Sequence, residues 1–177
     1  MPRSIRAELL GPKSFEKISE IFSQENRFKD ENVCKEGDTW ARDRFKEANA
    51  HFLGEWYECC LSLAEILEIK LPWHKYTYQT PENGLTVADA LQIPSVQKWI
   101  EEAPSYPDSY ILLSAGPFKT DAIEYRLMKD HEGLLIMLDG QHRLVAWAKA
   151  EKQRFLAFIA GKPLDRGGMQ SNRAKNT

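Results

Sequence analysis

Apolar positions change their spacing along this chain, from a helical repeat in the first part to short apolar runs in the last third. In the first part, apolar residues recur every three to five positions, which is typical of amphipathic helices. Helices are predicted over residues 15–22, 40–70, 87–91 and 94–102. Ser14 and Thr86 are suited to cap the first and third of these, and Gly54 can divide the second into two helices in series.

From residue 109 onward the pattern predicts strands. Strands are predicted over residues 110–114, 122–129, 134–138 and 155–159, with one helix over residues 141–152. A helical first part followed by a strand-rich part predicts an α+β fold, in which the helical region packs on a small mixed sheet. Three segments are expected: a helical wall or lid (1–107), a strand-turn-helix core (108–163) and a basic tail (164–177).

The most informative change of pattern lies in residues 134–148. Five consecutive apolar residues, Leu134 to Leu138, meet the polar sequence Asp139-Gly140-Gln141-His142-Arg143, and helical apolar spacing follows at once. This order predicts a buried strand, a glycine turn and the first turn of a helix. Backbone N–H groups and the positive end of a helix dipole meet at such a junction. We therefore predict an anion site, with phosphate as the usual anion.

Each residue of this turn has a predicted role and a simpler alternative. Gly140 lets a ligand approach the backbone closely, or only ends the strand. Arg143 can clamp two phosphate oxygens with its planar guanidinium, or form a salt bridge to Asp139 or Glu151. His142 can donate or relay a proton, or be an ordinary surface histidine. Asp139 can cap the helix, hold Mg²⁺ or orient an attacking nucleophile.

These five residues resemble the signature of DGQHR-domain proteins in the ParB/sulfiredoxin superfamily, and the resemblance spans Ser109 to Lys162. It implies a strand-turn-helix core that holds nucleotide or nucleic-acid phosphates on the turn. Sulfiredoxins place their reacting cysteine where Gln141 stands, so the resemblance excludes sulfinate reduction for lack of a nucleophile. Partition CTPases have a downstream helix with no counterpart after Gly161, so a CTP-dependent clamp is not implied.

Composition narrows the range of partners. The net charge is −2, so a general nucleic-acid-binding surface is not expected, although the tail is basic. The three cysteines, two of them adjacent, are typical of reduced thiols. No apolar stretch is long enough to span a bilayer, and the N-terminus lacks the pattern of a signal peptide. A cytoplasmic protein without a membrane partner is therefore expected.

Together these features predict a phosphate-ligand-binding protein, in the first place a nucleotide-dependent phosphotransferase or nucleotide hydrolase. The predicted phosphate-binding residues are Gly140, Gln141, His142 and Arg143, and the predicted catalytic residues are Asp139 and His142. ATP or ADP with Mg²⁺ is the expected cofactor, beside a small-molecule substrate of unidentified structure. The alternative is a non-catalytic DNA-binding regulator, related to the DGQHR proteins of DNA modification, whose turn grips backbone phosphate. A third hypothesis is a structural module without a ligand.

Overall fold

The computed structural model of the protein describes residues 6–24, 40–71, 85–94, 110–120 and 134–165. The strands are β1 (Arg6–Pro12), β2 (Trp56–Ser62), β3 (Lys70–Leu71), β4 (Leu85–Thr86), β5 (Ile111–Ala115), β6 (Leu135–Asp139), β7 (Arg154–Ala160) and β8 (Leu164–Asp165). The helices are α1 (Phe15–Gln24), α2 (Trp40–His51), α3 (Leu63–Leu67), α4 (Val87–Ala90) and α5 (Gln141–Lys149).

The strands form one mixed sheet in the order β4-β3-β6-β5-β7-β2-β1-β8. β2 and β7 pair antiparallel along their whole length, from Trp56 opposite Ala160 to Ser62 opposite Arg154. β7 is parallel to β5, which is antiparallel to β6. The sheet therefore combines β1 to β4, which precede residue 108, with β5 to β8, which follow it.

Helices cover both faces of the sheet. Successive residues of β5, β6 and β7 alternate between two clusters of buried side chains, because neighbouring residues of a strand point to opposite faces. The aliphatic face, covered by α3, α4 and α5, includes Leu61, Ile66, Val87, Ile111, Leu113, Leu135, Met137, Leu144, Val145, Phe155 and Ile159. The aromatic face, covered by α1 and α2, includes Ile18, Phe22, Phe45, Trp56, Leu112, Leu138 and Phe158.

The α+β fold class predicted from the sequence is confirmed, and so are β5, β6, α5 and β7 in the last third. The four apolar residues of β6 are at most 2% exposed, as a strand buried on both faces requires. Both predicted helix caps are also present. The Ser14 hydroxyl accepts a hydrogen bond from the Lys17 N–H (3.1 Å), and the Thr86 hydroxyl accepts one from the Asp89 N–H (3.1 Å).

The prediction of helix throughout residues 40–70 is wrong beyond His51, where α2 ends. The chain turns through Leu53 and Gly54, which both have left-handed backbone (φ 55° and 77°), and then enters β2. Three consecutive residues of β2 are buried, because this strand lies inside the sheet between β1 and β7. A continuous apolar run of this kind has no clear period of two, so the sequence pattern alone does not separate it from a buried helix.

Phe45 and Trp56 belong to the core, as predicted, although one lies in a helix and the other in a strand, so they do not share one helical stripe. Phe45 in α2 and Trp56 in β2 are each 1% exposed, and their ring centroids lie 5.0 Å apart. Phe52 packs against the same cluster and is half-buried. Strand and helix therefore meet through these rings on the aromatic face.

Several predictions concern residues outside the described part of the chain. These are the strand over 122–129, the helix over 94–102 apart from its first residue, the Trp40 side chain, and the tail beyond residue 165. Among the helices that are described, none combines the length and the apolar character needed to cross a membrane.

Candidate anion-binding site

The predicted strand-turn-helix junction is present between β6 and α5. Gly140 has φ 98° and ψ 22°, a left-handed conformation that residues with a side chain rarely adopt. Its carbonyl accepts the first hydrogen bond of the helix, from the Leu144 N–H at 2.9 Å. Leu144 and Val145 are buried on the aliphatic face, so they fix the direction of the first turn of α5.

The N-terminus of α5 differs from those of α3 and α4, because its N-cap residue is a glycine, which has no side chain to form a cap. Ser62 and Glu65 close the start of α3 with reciprocal hydrogen bonds, and Thr86 and Asp89 do the same at α4. At α5 the N-cap residue is Gly140, and no side-chain cap bond is present among the described residues. The first N–H groups of a helix have no partner within the helix, so those of α5 point outward from its end.

Asp139 precedes the N-cap position of α5, and the helix cap considered for it from the sequence stays a prediction. Asp139 is the last residue of β6 and is paired with Leu112 of β5. The N-cap position falls one residue later, at Gly140. The Asp139 carboxylate interacts with other groups of the protein.

One of those groups is Arg143, one turn along the helix. The Arg143 Nη2 lies 3.8 Å from the Asp139 Oδ2, with the two side chains 16% and 22% exposed. The salt bridge to Asp139 considered from the sequence is therefore present, although this contact is longer than a hydrogen bond. Both charged groups stand at the uncapped end of α5.

Gln141 and His142 occupy the first turn of α5. Gln141 is half-buried, and the backbone of His142 is helical. The side chain of His142 lies outside the described atoms. The structure thus brings the backbone of all five predicted site residues together at one turn, while the proton-transfer role of His142 stays a prediction.

Asp139 supplies a carboxylate at this turn, as a Mg²⁺ site would need. Within the described residues, however, no group of three or more His, Cys, Asp or Glu side chains is close enough to hold a metal ion. In phosphate sites, Mg²⁺ is commonly held by one or two carboxylates together with phosphate oxygens and water.

A second polar cluster, which the sequence analysis did not find, lies on the aromatic face. Glu58 accepts a hydrogen bond from the Tyr110 hydroxyl (2.7 Å) and forms a salt bridge with Lys13 (3.2 Å). The Tyr110 hydrogen bond, assisted by Lys13, holds the pKa of Glu58 below its ordinary value, although burial acts in the opposite direction. The Tyr110 ring also stacks on Phe158, with centroids 4.1 Å apart.

The strand register separates this cluster from the turn. Asp139, Leu112, Phe158 and Glu58 are successive partners in one row across the sheet. Three strand spacings, about 14 Å, therefore lie between Asp139 and Glu58. The cluster also lies on the aromatic face, whereas α5 covers the aliphatic face, so it is not part of the turn. It joins Glu58 of β2 to Lys13, which follows β1, and to Tyr110, which precedes β5. A charged residue within the apolar run of β2 was the sequence signal for it.

Comparison with known proteins places the chain in a family without assigning an activity. A family model, described as a family of unknown function (DUF6309), matches residues 7–176. No curated protein and no solved structure matches the chain. The match includes the sheet, the turn at Gly140 and α5. The chain therefore belongs to the DUF6309 family.

Proposed function

We propose that the protein binds a phosphate-bearing ligand at the turn between β6 and α5, and that it acts as a nucleotide-dependent phosphotransferase or nucleotide hydrolase. One observation carries this proposal. The N-cap residue of α5 is a left-handed glycine without a capping side chain, whereas Ser62 and Thr86 form capping boxes at α3 and α4. An uncapped helix N-terminus presents N–H donors and positive potential to an anion.

The position of Arg143 supports the same conclusion. A guanidinium near a helix N-terminus is repelled by the positive end of the dipole, so the placement is unfavourable without a nearby negative charge. Asp139 offers that charge at 3.8 Å. A phosphate would offer more, because its oxygens match the two-pronged geometry of the guanidinium.

The roles of the five residues follow from this placement. The amides of Gln141 and His142 would bind phosphate oxygens, while Gly140 leaves room for the ligand to approach the backbone. Arg143 would neutralise the charge that develops on the transferred group, and His142 would donate or relay a proton. Mg²⁺ would supply further charge neutralisation between Asp139 and the phosphates. Phosphoryl transfer requires mainly such positioning and neutralisation.

The resemblance of Asp139 to Arg143 to DGQHR-domain proteins of the ParB/sulfiredoxin superfamily adds support from sequence. That superfamily includes nucleotide-dependent enzymes and DNA-associated proteins, so the resemblance leaves both classes of phosphate ligand open. We place the nucleotide first, because the net charge of −2 disfavours an extended DNA-binding surface.

Ligand-induced thermal stabilisation of the full chain tests the proposal. The ligands are ATP, ADP, CTP and GTP, each with and without Mg²⁺, and a DNA duplex at increasing salt concentration. We expect a nucleotide with Mg²⁺ to raise the melting temperature of the parent and to raise that of Arg143→Lys much less. Among variants that still bind, His142→Ala should lower the rate of phosphate release if His142 transfers a proton.

Arg154→Lys is the matched control for the loss of a guanidinium. Arg154 is an exposed residue at the start of β7. It lies outside the proposed site, because the residue of β7 in register with Asp139 is Phe158, four positions further along the strand. This control should respond to the nucleotide as the parent does. Equal stabilisation of the parent and Arg143→Lys would contradict the proposal, as would no stabilisation by any ligand. Stabilisation by DNA alone, falling as salt rises, would favour the DNA-binding alternative.

A further inference from the structure

A cleft lies at the other end of α5, on the aliphatic side of the sheet. It has a volume of about 300 Å³ and opens between α3, the end of α4 and the end of α5. Its lining residues are Leu63, Leu67, Leu91, Ala148, Lys149 and Glu151. The nine residues of α5 place this cleft about 13 Å from the turn at Gly140. It is therefore distinct from the proposed anion site.

The floor of the cleft is aliphatic and continuous with the core. Leu63, Leu67 and Leu91 are half-buried and pack against the buried cluster of the aliphatic face, while Ala148 is 4% exposed within it. A volume near the lower end of the range for ligand pockets suits a small molecule with an aliphatic group. Such a group would gain free energy by covering the three leucines.

Opposite charges line the rim. Lys149 and Glu151 are both exposed and stand two residues apart at the end of α5. The negative end of the α5 dipole lies at the same place and favours a cation there. A ligand that complements this rim carries a carboxylate for Lys149 and an ammonium group for Glu151.

The backbone at Glu151 is unusual for a residue with a side chain. Its φ of 56° is left-handed, in a helix ending where the Glu151 N–H donates to the Ala148 carbonyl and the Lys152 N–H to the Trp147 carbonyl. Glycine is the usual residue at this position of such an ending, because it adopts the conformation without steric cost. Glutamate costs stability here, and it adds a carboxylate to the rim of the cleft.

We propose that this cleft binds a free α-amino acid with an aliphatic side chain. The side chain lies on Leu63, Leu67 and Leu91, the carboxylate pairs with Lys149, and the ammonium group pairs with Glu151 and the end of α5. The two charges of the rim thus match the two charges of the amino acid, and the aliphatic floor matches its side chain. A second copy of this chain or a peptide helix would cover the leucines without requiring both charges.

Calorimetric titration of the full chain with L-leucine is the first measurement. Three analogues each lack one feature: 4-methylpentanoate has no ammonium group, isopentylamine has no carboxylate, and glycine has no side chain. We expect saturable binding of L-leucine and a loss of about tenfold or more in affinity for each analogue, since each removes one charge-assisted contact or the apolar contact. No saturable binding of L-leucine, or equal binding of the analogues, would overturn the proposal.

Two glycine variants separate ligand binding from stability. Glu151→Gly should raise the melting temperature and lower the affinity for L-leucine by about tenfold. Leu53→Gly is its control, because Leu53 has nearly the same φ (55°) and lies in the turn after α2, outside the cleft lining. It should also raise the melting temperature, with the affinity for L-leucine unchanged. If Glu151→Gly binds L-leucine with unchanged affinity, the Glu151 carboxylate does not contact the ligand, and the proposal is overturned.

Further variants test the lysine and exclude other occupants. Lys149→Gln should weaken L-leucine, whereas Lys162→Gln, an exposed lysine outside the cleft lining, should not. Self-association of the parent that Leu67→Glu abolishes would show that a second copy covers the leucines, and would overturn the amino-acid proposal. Arg143→Lys should leave the affinity for L-leucine unchanged. The nucleotide proposal and the amino-acid proposal can therefore be contradicted independently of each other.

Discussion

On the aromatic face, helices α1 and α2 are attached to the sheet by rings that pack on rings. Phe15 stacks on Phe45 with centroids 4.5 Å apart, and Phe45 meets Trp56 at 5.0 Å. Tyr110 stacks on Phe158 at 4.1 Å and carries the hydrogen bond to Glu58 on the same face. Large side chains with defined ring geometry hold this face together.

On the aliphatic face, α3, α4 and α5 have five, four and nine residues, and mostly aliphatic side chains fill the space beneath them. Short helices have a large share of their residues at the ends, where N–H groups, carbonyls and charges stand free of the helical ladder. Both proposed sites lie at the ends of α5, one at Gly140 and one at Glu151. The difference between the two faces is therefore one of construction: stacked and tilted rings join helices to the sheet on the aromatic face, whereas both proposed binding sites lie at helix ends on the aliphatic face.

The largest expected effect comes from a matched pair on β7. Phe158 on the aromatic face and Phe155 on the aliphatic face are both 0% exposed. Each change to alanine should cost roughly 3 to 5 kcal/mol of unfolding free energy, because each leaves a cavity. Phe158→Ala should cost about 0.5 to 1.5 kcal/mol more, since Phe158 contacts the rings of Tyr110 (4.1 Å) and Phe22 (6.3 Å), whereas Phe155 contacts that of Trp147 (6.3 Å). Urea unfolding measures both, and equal losses would show that ring stacking does not distinguish the two faces.

The next largest effect concerns the close packing of Phe52 against Gly161 at the edge of the aromatic face. Gly161, just after β7, has φ 79°, and a Cβ there would lie 2.5 Å from Cδ1 of Phe52. Gly54 has nearly the same φ (77°), but the nearest atom to its Cβ would be 3.9 Å away. Gly161→Ala should therefore cost roughly 1 to 3 kcal/mol more than Gly54→Ala, which carries the backbone strain alone. Thermal unfolding compares them, and equal losses would show that Phe52 moves aside freely.

A smaller effect is expected from the contacts of Glu58 with Tyr110 and Lys13 on the aromatic face. The folded protein holds the pKa of Glu58 below its ordinary value of 4.5, so the unfolded chain takes up this proton first as the pH falls. The stabilisation is present above that value and is lost as the pH falls through the folded pKa. As the pH falls below 4.5, the parent should therefore lose more stability than Glu58→Gln.

Urea unfolding across this pH range measures the difference. Glu16→Gln, an exposed glutamate of α1, serves as the control and should follow the parent. If Glu58→Gln shows the same loss as the parent, then the contacts with Tyr110 and Lys13 contribute nothing to acid stability.

The smallest effect is a gain of stability on the aliphatic face. Glu151→Gly should raise the unfolding free energy by up to about 1 kcal/mol, because glycine removes the left-handed strain while increasing the freedom of the unfolded chain. Thermal unfolding measures the change. A loss of stability would mean that the Glu151 side chain makes contacts that outweigh its backbone cost.

Sequence reasoning predicted the region around the turn well, because the decisive interactions there are local. Leu134 to Leu138 form a run long enough for a buried strand, Gly140 permits a sharp change of direction, and helical spacing resumes at once. The same reasoning placed the end of the strand at Leu138, one residue before its observed end at Asp139, since locating that end requires knowing the last residue that pairs in the sheet. That residue is decided by β5, which is distant in the sequence.

By itself, the sequence determined the α+β class, the strand-turn-helix at Gly140 and the caps at Ser14 and Thr86, because each depends on residues a few positions apart. Only the tertiary structure decided that residues 56–62 are a strand, because β1 and β7 on either side satisfy its backbone hydrogen bonds. It also decided the Glu58 contacts and the cleft beside Glu151, whose residues come from separate elements. Local preference selects turns and caps, whereas long-range pairing selects between helix and strand when an apolar run fits both.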